Sequence, residues 1–600
     1  MCRIFGYLGT KDVGIDELKN VSRNQIEGGP DQQFLLVEDN YALGNNRLSI
    51  VGLEGGLQPY TNDEDIQIVY NGEIYNHEFL REELAVLGHT ISDPCDGAIL
   101  PVLYELHGEE FVKKLDGMFA IAIIKKTDQE NLLQIFTDPS GMKSLYYYLD
   151  GQANTFYFSS EIPSLLAFLD VPKKLWLPGV ESYLSTKAIF GEHTMFSDIF
   201  MIPKSSILTY SVAKGLTINS YDSLVGNQYA NQSLDILLEN EVGQLIEADV
   251  PISTINSGGL DSSLVTSIAS KQMNGLHTFN IAYTGEWPFD EKKYAKEVSD
   301  FCNTTHHQIL LDPNEFSEMI PTVTQKLGQP NADPITLSSY ALFKNIKEAG
   351  FKVAISGDGA DEIFGGYERY ERLMSAEQVD WDAYLNSLSA IDSEMREYVF
   401  SDEYKQLNRH VSTPDTIKNQ INQETGSDLS KVLKFEQKYR LPNYHLRRVD
   451  HLSMANSVEV RVPFCQQSII KFANDLEDDK KIKNGEVKRG LYAVAQGKLP
   501  QSVLTRKKQP FTLPINQMMF DGSPLMNFVE DKLDFKVMSE QNIFNATYVS
   551  SMIKNQKHNP SDKTALALWS LMIFQVWLEE FQVEVPDLKK LCEEKELVNS

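Results

Sequence analysis

Seven consecutive residues, Ser257-Gly258-Gly259-Leu260-Asp261-Ser262-Ser263, have the types and spacing to hold a polyphosphate. The run from Asp249 to Ile255 before them is β-branched enough for a short buried strand, and Leu264, Val265, Ile268 and Ala269 after them recur at helical spacing. That is a strand, a glycine turn and a helix. Glycines let the backbone approach an anion, hydroxyls and N–H groups donate to phosphate oxygens, and a helix N-terminus adds favourable partial charge. Asp261 fits this picture if Mg²⁺ bridges its carboxylate to the polyphosphate. The Gly-Lys-Ser/Thr ending of a Walker loop is absent, so phosphoryl transfer by that route is not indicated. The bland alternative is a Ser/Gly turn opening a helix, and the seven residues in their strand-and-helix context argue against it.

A second set lies near the N-terminus. Removal of Met1 would leave Cys2 with a free α-amine, whose ordinary pKa of about 7.7 to 8.0 suits it to act as base for the Cys2 thiol. Taken alone, a cysteine at the second position is incidental. Asn71-Gly72-Glu73-Ile74-Tyr75-Asn76 follows the apolar run Ile66 to Val69, which places Asn71 and Gly72 at a strand end, with Asn76 capping a helix that carries Phe79, Leu80, Leu84 and Leu87. An Asn amide and a Gly N–H are what an oxyanion hole for acyl transfer requires. Arg47 can grip a carboxylate through two parallel bonds, and Glu73 and Asp96 can hold an α-ammonium. Each has a bland reading as well: Arg47 as a surface ion pair, Glu73 as a turn residue, Asp96 as a cap.

The elements that must position these groups follow from length and patterning. Six hundred residues exceed one core, so at least two domains are expected. A hydrophobic content of 42% and a charged content of 23% are ordinary for a globular protein. The net charge of −29 disfavours nonspecific binding to nucleic acid or to an anionic membrane. No basic region followed by an apolar run opens the chain, and Ala565 to Leu578, interrupted by Ser570 and Gln575, reads as a buried helix too short to span a bilayer. Five scattered cysteines form no CxxC pair, which fits a reducing cytoplasm.

Thr278 to Tyr283 reads as a second strand, and Lys352 to Ile355 as a third that ends in Ser356-Gly357-Asp358-Gly359-Ala360-Asp361-Glu362. Strands alternating with helices predict a parallel α/β sheet with ligands at the carboxyl ends of its strands. Asp261 and Asp361 both fall there and can share Mg²⁺ on a pyrophosphate leaving group, helix capping being the plainer role for each. The expected organisation is a first domain over 1–210, a linker over 211–230 that includes Gly226-Asn227-Gln228, a second domain over 231–585 and a polar tail over 586–600. His306 and His307 lack ligand spacing.

Cys2, Arg47-Leu48-Ser49-Ile50, Asn71 to Asn76 and Cys95-Asp96 resemble the class II glutamine amidotransferase domain, an N-terminal-nucleophile hydrolase. Followed by the seven-residue turn, their order resembles the glutamine-hydrolysing asparagine synthetases and their close relatives. Asp116 to Ala120, Gly141 to Tyr147, Ser160-Glu161-Ile162, Asp290-Glu291, Asp450 to Ala455 and Glu459 to Phe464 extend the likeness over nearly the whole chain. The resemblance implies a four-layer αββα domain followed by a parallel-sheet ATP-pyrophosphatase domain. By carry-over, Cys2 attacks the glutamine amide, Asn71 and Gly72 stabilise the oxyanion, and Arg47, Asn71, Glu73 and Asp96 hold glutamine. Ser257 to Ser263, Ile281, Ser356 and Gly357 bind ATP, Asp261 and Asp361 hold Mg²⁺, and Asp358 is catalytic. Lys488, ahead of Arg506-Lys507, neutralises charge on the phosphoryl group. The implied partners are small molecules (glutamine, ATP and a carboxylate acceptor), a homodimer stays open, and a dry passage for ammonia between the sites is expected because water would protonate ammonia and hydrolyse an acyl-adenylate.

The sequence also departs from that family. Gly28-Gly29-Pro30-Asp31 stands where Arg-Gly-Pro-Asp is usual, and Thr137-Asp138-Pro139 where Arg-Asp is common. Asp358 occupies a position that is Glu in well-known asparagine synthetases, Gln329 precedes Pro330 where Glu is frequent, and Cys465-Gln466 replaces Leu-Asp. A carboxylate one methylene shorter shifts a base or substrate contact enough to matter. Three readings follow: asparagine synthesis, amidation of another carboxylate such as a sugar uronic acid or a secondary-metabolite precursor, and a noncatalytic regulatory protein on the same fold. Retention of Cys2 argues against relatives that close β-lactam rings, and retention of Cys2, Asp261, Asp361 and Lys488 together argues against the noncatalytic reading.

Overall fold

The computed structural model describes all residues except 63–64, 227–231, 286–290, 376–378, 507–512 and 600. Asn227 and Gln228 of the expected linker, Asp290 and Lys507 lie outside the described residues.

The first part of the chain holds β1 (Cys2–Gly9), β2 (Gln32–Glu38), β3 (Tyr41–Arg47), β4 (Tyr60–Asn62), β5 (Ile66–Ile74), β6 (Gly117–Lys126), β7 (Asn131–Thr137), β8 (Tyr146–Asp150), β9 (Thr155–Ser159), β10 (Ile199–Met201), β11 (Ser206–Ser211) and β12 (Gly215–Ser220). They form two six-stranded antiparallel sheets, ordered β10-β8-β9-β1-β3-β2 and β12-β11-β7-β6-β5-β4. Central strands such as β1 and β5 are buried along their whole length because alternate side chains meet the facing sheet on one side and a helical layer on the other. Ile4 and Leu8 of β1 pack between the sheets against Val69, Ala120, Ala122 and Ile124. Phe5 and Tyr7 of the same strand face outward, in the core that takes Leu18 and Val21 of the helix Ile15–Asn24. On the other outer face, Ile68 and Tyr70 meet Leu80, Leu84, Leu100 and Leu103 of the helices His77–Val86 and Leu100–His107. The layers are helix, sheet, sheet, helix, as expected.

Two local details differ from the sequence reading. β5 runs to Ile74, so Asn71 and Gly72 sit inside the strand, paired with Ala120 and Phe119, rather than at its end. Asn76 does precede the helix His77–Val86, but its side chain bonds Asp116 N and Lys114 O instead of capping. At the other end of this part, β12 pairs with β11 from Gly215 to Ser220, so the chain leaves the sheets only after position 220.

The second part holds β13 (Ile252–Ile255), β14 (His277–Tyr283), β15 (Thr305–Leu311), β16 (Val353–Ile355) and β17 (Glu459–Arg461), all parallel and ordered β15-β14-β13-β16-β17. From β13 the chain builds outward through β14 and β15, then returns to the other side of β13 with β16. This reversal makes the carboxyl ends of β13 and β16 a topological switch point, where ligands bind in such sheets. β15 carries His306 and His307, the latter in contact with His277 (Nδ1 to Nε2, 2.8 Å). The polar region near 370–430 is helical around its own core of Tyr370, Tyr384, Leu388, Ile417 and Leu433. The apolar C-terminal stretch is the buried helix Asp562–Phe581, in which Gln575 is satisfied by reciprocal bonds with Gln541 and Ser570 by the Leu566 carbonyl.

Candidate active sites

Alternation along three strands assembles the first site. Residues of β1, β3 and β5 that share parity with Ile4, Leu43 and Val69 face the space between the sheets, and at one end of that space these are Cys2, Arg47, Asn71 and Glu73. Cys2 pairs directly with Arg47 across β1 and β3. Cys2 N donates to Asn71 Oδ1 at 3.2 Å, and processing of Met1 would turn that amide into the α-amine. Asn71 is fully buried, and its Nδ2 has no hydrogen-bond partner among the described residues. A buried donor left over in this way is uncommon, and it points into the space that holds the Cys2 thiol.

Arg47 donates to Gln32 Oε1 (3.0 Å) and Gly52 O (2.9 Å), which fixes its guanidinium by the 49–52 loop. Asp96 Oδ2 accepts from Tyr70 Oη (2.6 Å) and Ile74 N (2.9 Å). Burial first, then the Asp96 carboxylate, push the Glu73 carboxyl well above its ordinary range, against the pull of Arg461 at 3.7 Å. Gly72 admits no side chain, since a Cβ would lie 2.7 Å from Phe119 Cα. One residue that sequence reasoning missed is Gln58. Its Nε2 lies 3.5 Å from Cys2 Sγ and 2.9 Å from Tyr70 O, and its Oε1 accepts from Tyr70 N at 2.6 Å. Nothing local to the Gly-rich loop at 52–56 signals it.

The second site lies at the switch point. The turn after β13 opens the helix Leu260–Gln272, and Gly258 adopts φ +69 with its Cα against Tyr294 and Ala295, where a Cβ would lie 2.5 Å from Ala295 N. Ser257 N donates to Ser262 Oγ (3.1 Å), and the two hydroxyls meet at 3.0 Å. Gly357, after β16, comes so close to this turn that a Cβ would lie 2.7 Å from Ser262 N. The two loops are one surface. Ile281 lies buried in β14, next to β13 in the sheet.

Lys488 Nζ sits 2.5 Å from Asp261 Oδ2 and 2.6 Å from Asp361 Oδ1. Burial alone would lower the lysine pKa, but the two carboxylates raise it above the ordinary range, so Lys488 is a cation. A side chain at 366 would displace Asp361 and the Lys488 stem, since a Cβ there would overlap both. Asp358 is bonded to the Ser356 hydroxyl, and Asp358 N donates back to Ser356 Oγ at 3.2 Å. Two carboxylates that converge on one point beside the 257–263 turn have the chemistry to hold Mg²⁺, which usually takes one or two protein carboxylates and completes its shell with phosphate oxygens and water.

Between the sites runs β17. Arg461 Nε donates to Glu459 Oε1 at 2.6 Å, its Nη2 lies 3.7 Å from Glu73 Oε2, and its carbonyl accepts from Ser356 N at 3.0 Å. One residue therefore touches the first site through its side chain and the second through its backbone.

A double antiparallel sandwich that opens with Cys2, followed by a parallel α/β sheet, is the architecture of a two-domain amidotransferase with its synthetase on one chain. Residues 1–222 match the model of the glutamine amidotransferase domain, and residues 233–579 match that of asparagine synthase, so the chain belongs to the asparagine synthase family. It is 27% identical to asparagine synthetase [glutamine-hydrolyzing] 1 of Bacillus subtilis over 93% of each chain, and 28% identical to asparagine synthetase [glutamine-hydrolyzing] 3 of the same organism over 85% of this chain and 87% of the relative. It is 26% identical to asparagine synthetase [glutamine-hydrolyzing] of Zea mays, over 90% of this chain and 82% of the relative.

Proposed function

We propose that this enzyme makes asparagine from aspartate, using ATP and the amide nitrogen of glutamine, with one half-reaction at each site. At the first, Cys2 Sγ adds to the glutamine amide carbonyl, ammonia leaves, and water releases glutamate from the thioester. The α-amine of Cys2 takes the thiol proton, and Asn71 Nδ2 with Gly72 N receives the oxyanion. Arg47 holds the substrate carboxylate, while Glu73 and Asp96 hold its ammonium. The observation that carries this half is the unpartnered Asn71 amide beside the buried thiol.

At the second site, the aspartate side-chain carboxylate attacks the α-phosphorus of ATP, pyrophosphate leaves, and ammonia displaces AMP from the acyl-adenylate. Ser257 to Ser263, Ile281, Ser356 and Gly357 hold the nucleotide and its phosphates, and Asp358 serves the acceptor side. Lys488 trades its carboxylate partners for phosphoryl oxygens. Asp261 and Asp361 would hold Mg²⁺, which would supply neutralisation of negative charge on the phosphates. All five cysteines are free, and no described helix is long and apolar enough to cross a membrane, which supports a reducing cytoplasm as the setting.

A second acceptor stays in view because Asp358, short for its position, is drawn onto Ser356, and Gln329 Oε1 bonds Met195 N. The test is product analysis by mass spectrometry of the purified protein with Mg-ATP and glutamine, with and without aspartate. Aspartate-dependent AMP together with asparagine establishes reaction and acceptor. Glutamate release with no aspartate-dependent AMP points to another carboxylate, and failure to bind Mg-ATP removes the catalytic reading of the second domain.

A further inference from the structure

Arg3 follows Cys2 in β1 and, by strand alternation, points out of the inter-sheet space toward the second domain. It is fully buried. Its Nε donates to Glu161 Oε1 at 2.7 Å, its Nη1 to Asp450 Oδ2 at 2.7 Å and its Nη2 to the Asp450 carbonyl at 3.4 Å. Lys143 Nζ reaches Asp450 Oδ1 at 2.5 Å. Arg3, Lys143 and Glu161 belong to the first domain, whereas Asp450 lies on the helix Arg447–Met454 of the second. Two cations and two carboxylates thus balance across the domain junction, one residue from the nucleophile. Burial pushes the Asp450 carboxyl up, but Arg3 and Lys143 together hold it well below its ordinary range.

The stem of Arg3 lies over Gly28. A Cβ at position 28 would stand 2.6 Å from Arg3 Cγ and 2.9 Å from Arg3 Nε. The φ of Gly28 is not in the left-handed region, so its backbone suits any residue, and Arg3 is what excludes a side chain. An arginine at position 28 and Arg3 as it stands would compete for one volume.

We propose that Arg3 is a positioning residue for glutamine hydrolysis and for its coupling to amide formation, its buried guanidinium filling the room beside Gly28. From Asp450 the chain passes through Ser457, whose hydroxyl donates to Glu27 O at 2.6 Å, into β17 and Arg461. Arg461 then reaches back to Glu73. Arg3 and Arg461 therefore pin the segment 450–461 to the first domain at both ends, and Arg3 fixes the end of β1 that bears the thiol. A displacement of about 1 Å there is expected to cost about 100-fold in rate.

This inference rests on the two-site reading, and its test keeps the two apart. Arg3→Ser removes the cation and frees the room that a side chain at 28 needs, and Arg3→Ser/Gly28→Arg restores a cation from the other side. Glutamine-dependent asparagine formation by Arg3→Ser is expected to fall about 10- to 100-fold, in kcat more than in KM. Its ammonia-driven synthesis is expected to fall less than about 3-fold, since the second site keeps its own charges. The double variant recovers most of the loss, and Gly28→Arg alone loses as much as Arg3→Ser. Wild-type glutamine use by Arg3→Ser overturns the proposal, as does a double variant that fails to fold or folds without recovery. Should Arg3→Ser itself fail to fold, a folded and active double variant supports it. If the wild-type protein gives no aspartate-dependent AMP, the reaction is misassigned, and the Arg3 comparison is still read from glutamate release.

Discussion

Around Cys2 a buried amide, Asn71 Nδ2, has no partner among the described residues, whereas around Lys488 one ammonium is shared by two carboxylates at 2.5 and 2.6 Å. The first site is built on the facing sides of two sheets and presents a buried amide donor with no partner among the described residues. The second is built on loops at strand ends, where Lys488 already lies between two carboxylates, so a ligand of Lys488 would exchange partners there, although the Ser263 hydroxyl, like the Asn71 amide, has no partner among the described residues. Preorganisation suits hydrolysis of a neutral amide. Charge exchange suits a polyanion, which brings its own compensation for displaced contacts.

The strongest way to break this contrast is Cys2→Ala. Glutamine-dependent asparagine formation is expected to fall by at least about 10³-fold, while synthesis from ammonium stays within about 2-fold, measured as AMP and asparagine with each nitrogen source. Loss of both would remove the two-site account. Next is Lys488→Met, for which both nitrogen sources are expected to lose about 10²- to 10³-fold, with glutamate release retained. A lesion confined to glutamine would place Lys488 in the wrong site. Asn71→Ala sharpens the first half: kcat for glutamate release should fall about 10²-fold with little change in KM, since the missing donor acts on the oxyanion. A rise in KM alone would make Asn71 a ground-state contact.

The smallest effect concerns the seam between domains. Burial first, and the neighbouring Asp116 second, push the Glu241 carboxyl up to about 8 from 4.5. Between those values the folded chain holds a proton that the unfolded chain has lost, so this group's contribution falls as pH rises through the window and is restored below it. Glu241→Gln should therefore raise Tm relative to wild type more at the alkaline end of that window than at the acid end, read by differential scanning fluorimetry at both. An equal difference at the two ends would show that the group does not titrate there.

The sequence readings that held depended on local signals. The turn at 257–263 announced itself by glycines between a strand and a helix, and the parallel sheet by alternation of strands and helices. That Cys2 lies with Arg47 and Asn71 was legible only from the three taken together, since a lone cysteine carries no signal. What stayed hidden depended on partners far apart in the chain. The Arg3–Asp450 bond spans 447 residues, and no periodicity encodes it. β15 was missed because His306 and His307 break its apolar pattern, and the reach of β5 through Asn71 and Gly72 was missed because both residues disfavour strands in isolation. Sheet packing overrode that preference, and in doing so turned Asn71 into the space between the sheets, where its Oδ1 accepts from Cys2 N. The contact of Arg461 with Glu73, distant in sequence, had no local signal either.

The most direct test of the account is nitrogen transfer with [amide-¹⁵N]glutamine in a bath of unlabelled ammonium, with Mg-ATP and aspartate, read as isotopic composition of the asparagine formed. Two sites joined through the interior of one chain should give asparagine that keeps the ¹⁵N label despite the bath. Asparagine whose label is diluted to the composition of the bath would mean that ammonia escapes to solvent between the sites, and would contradict the account.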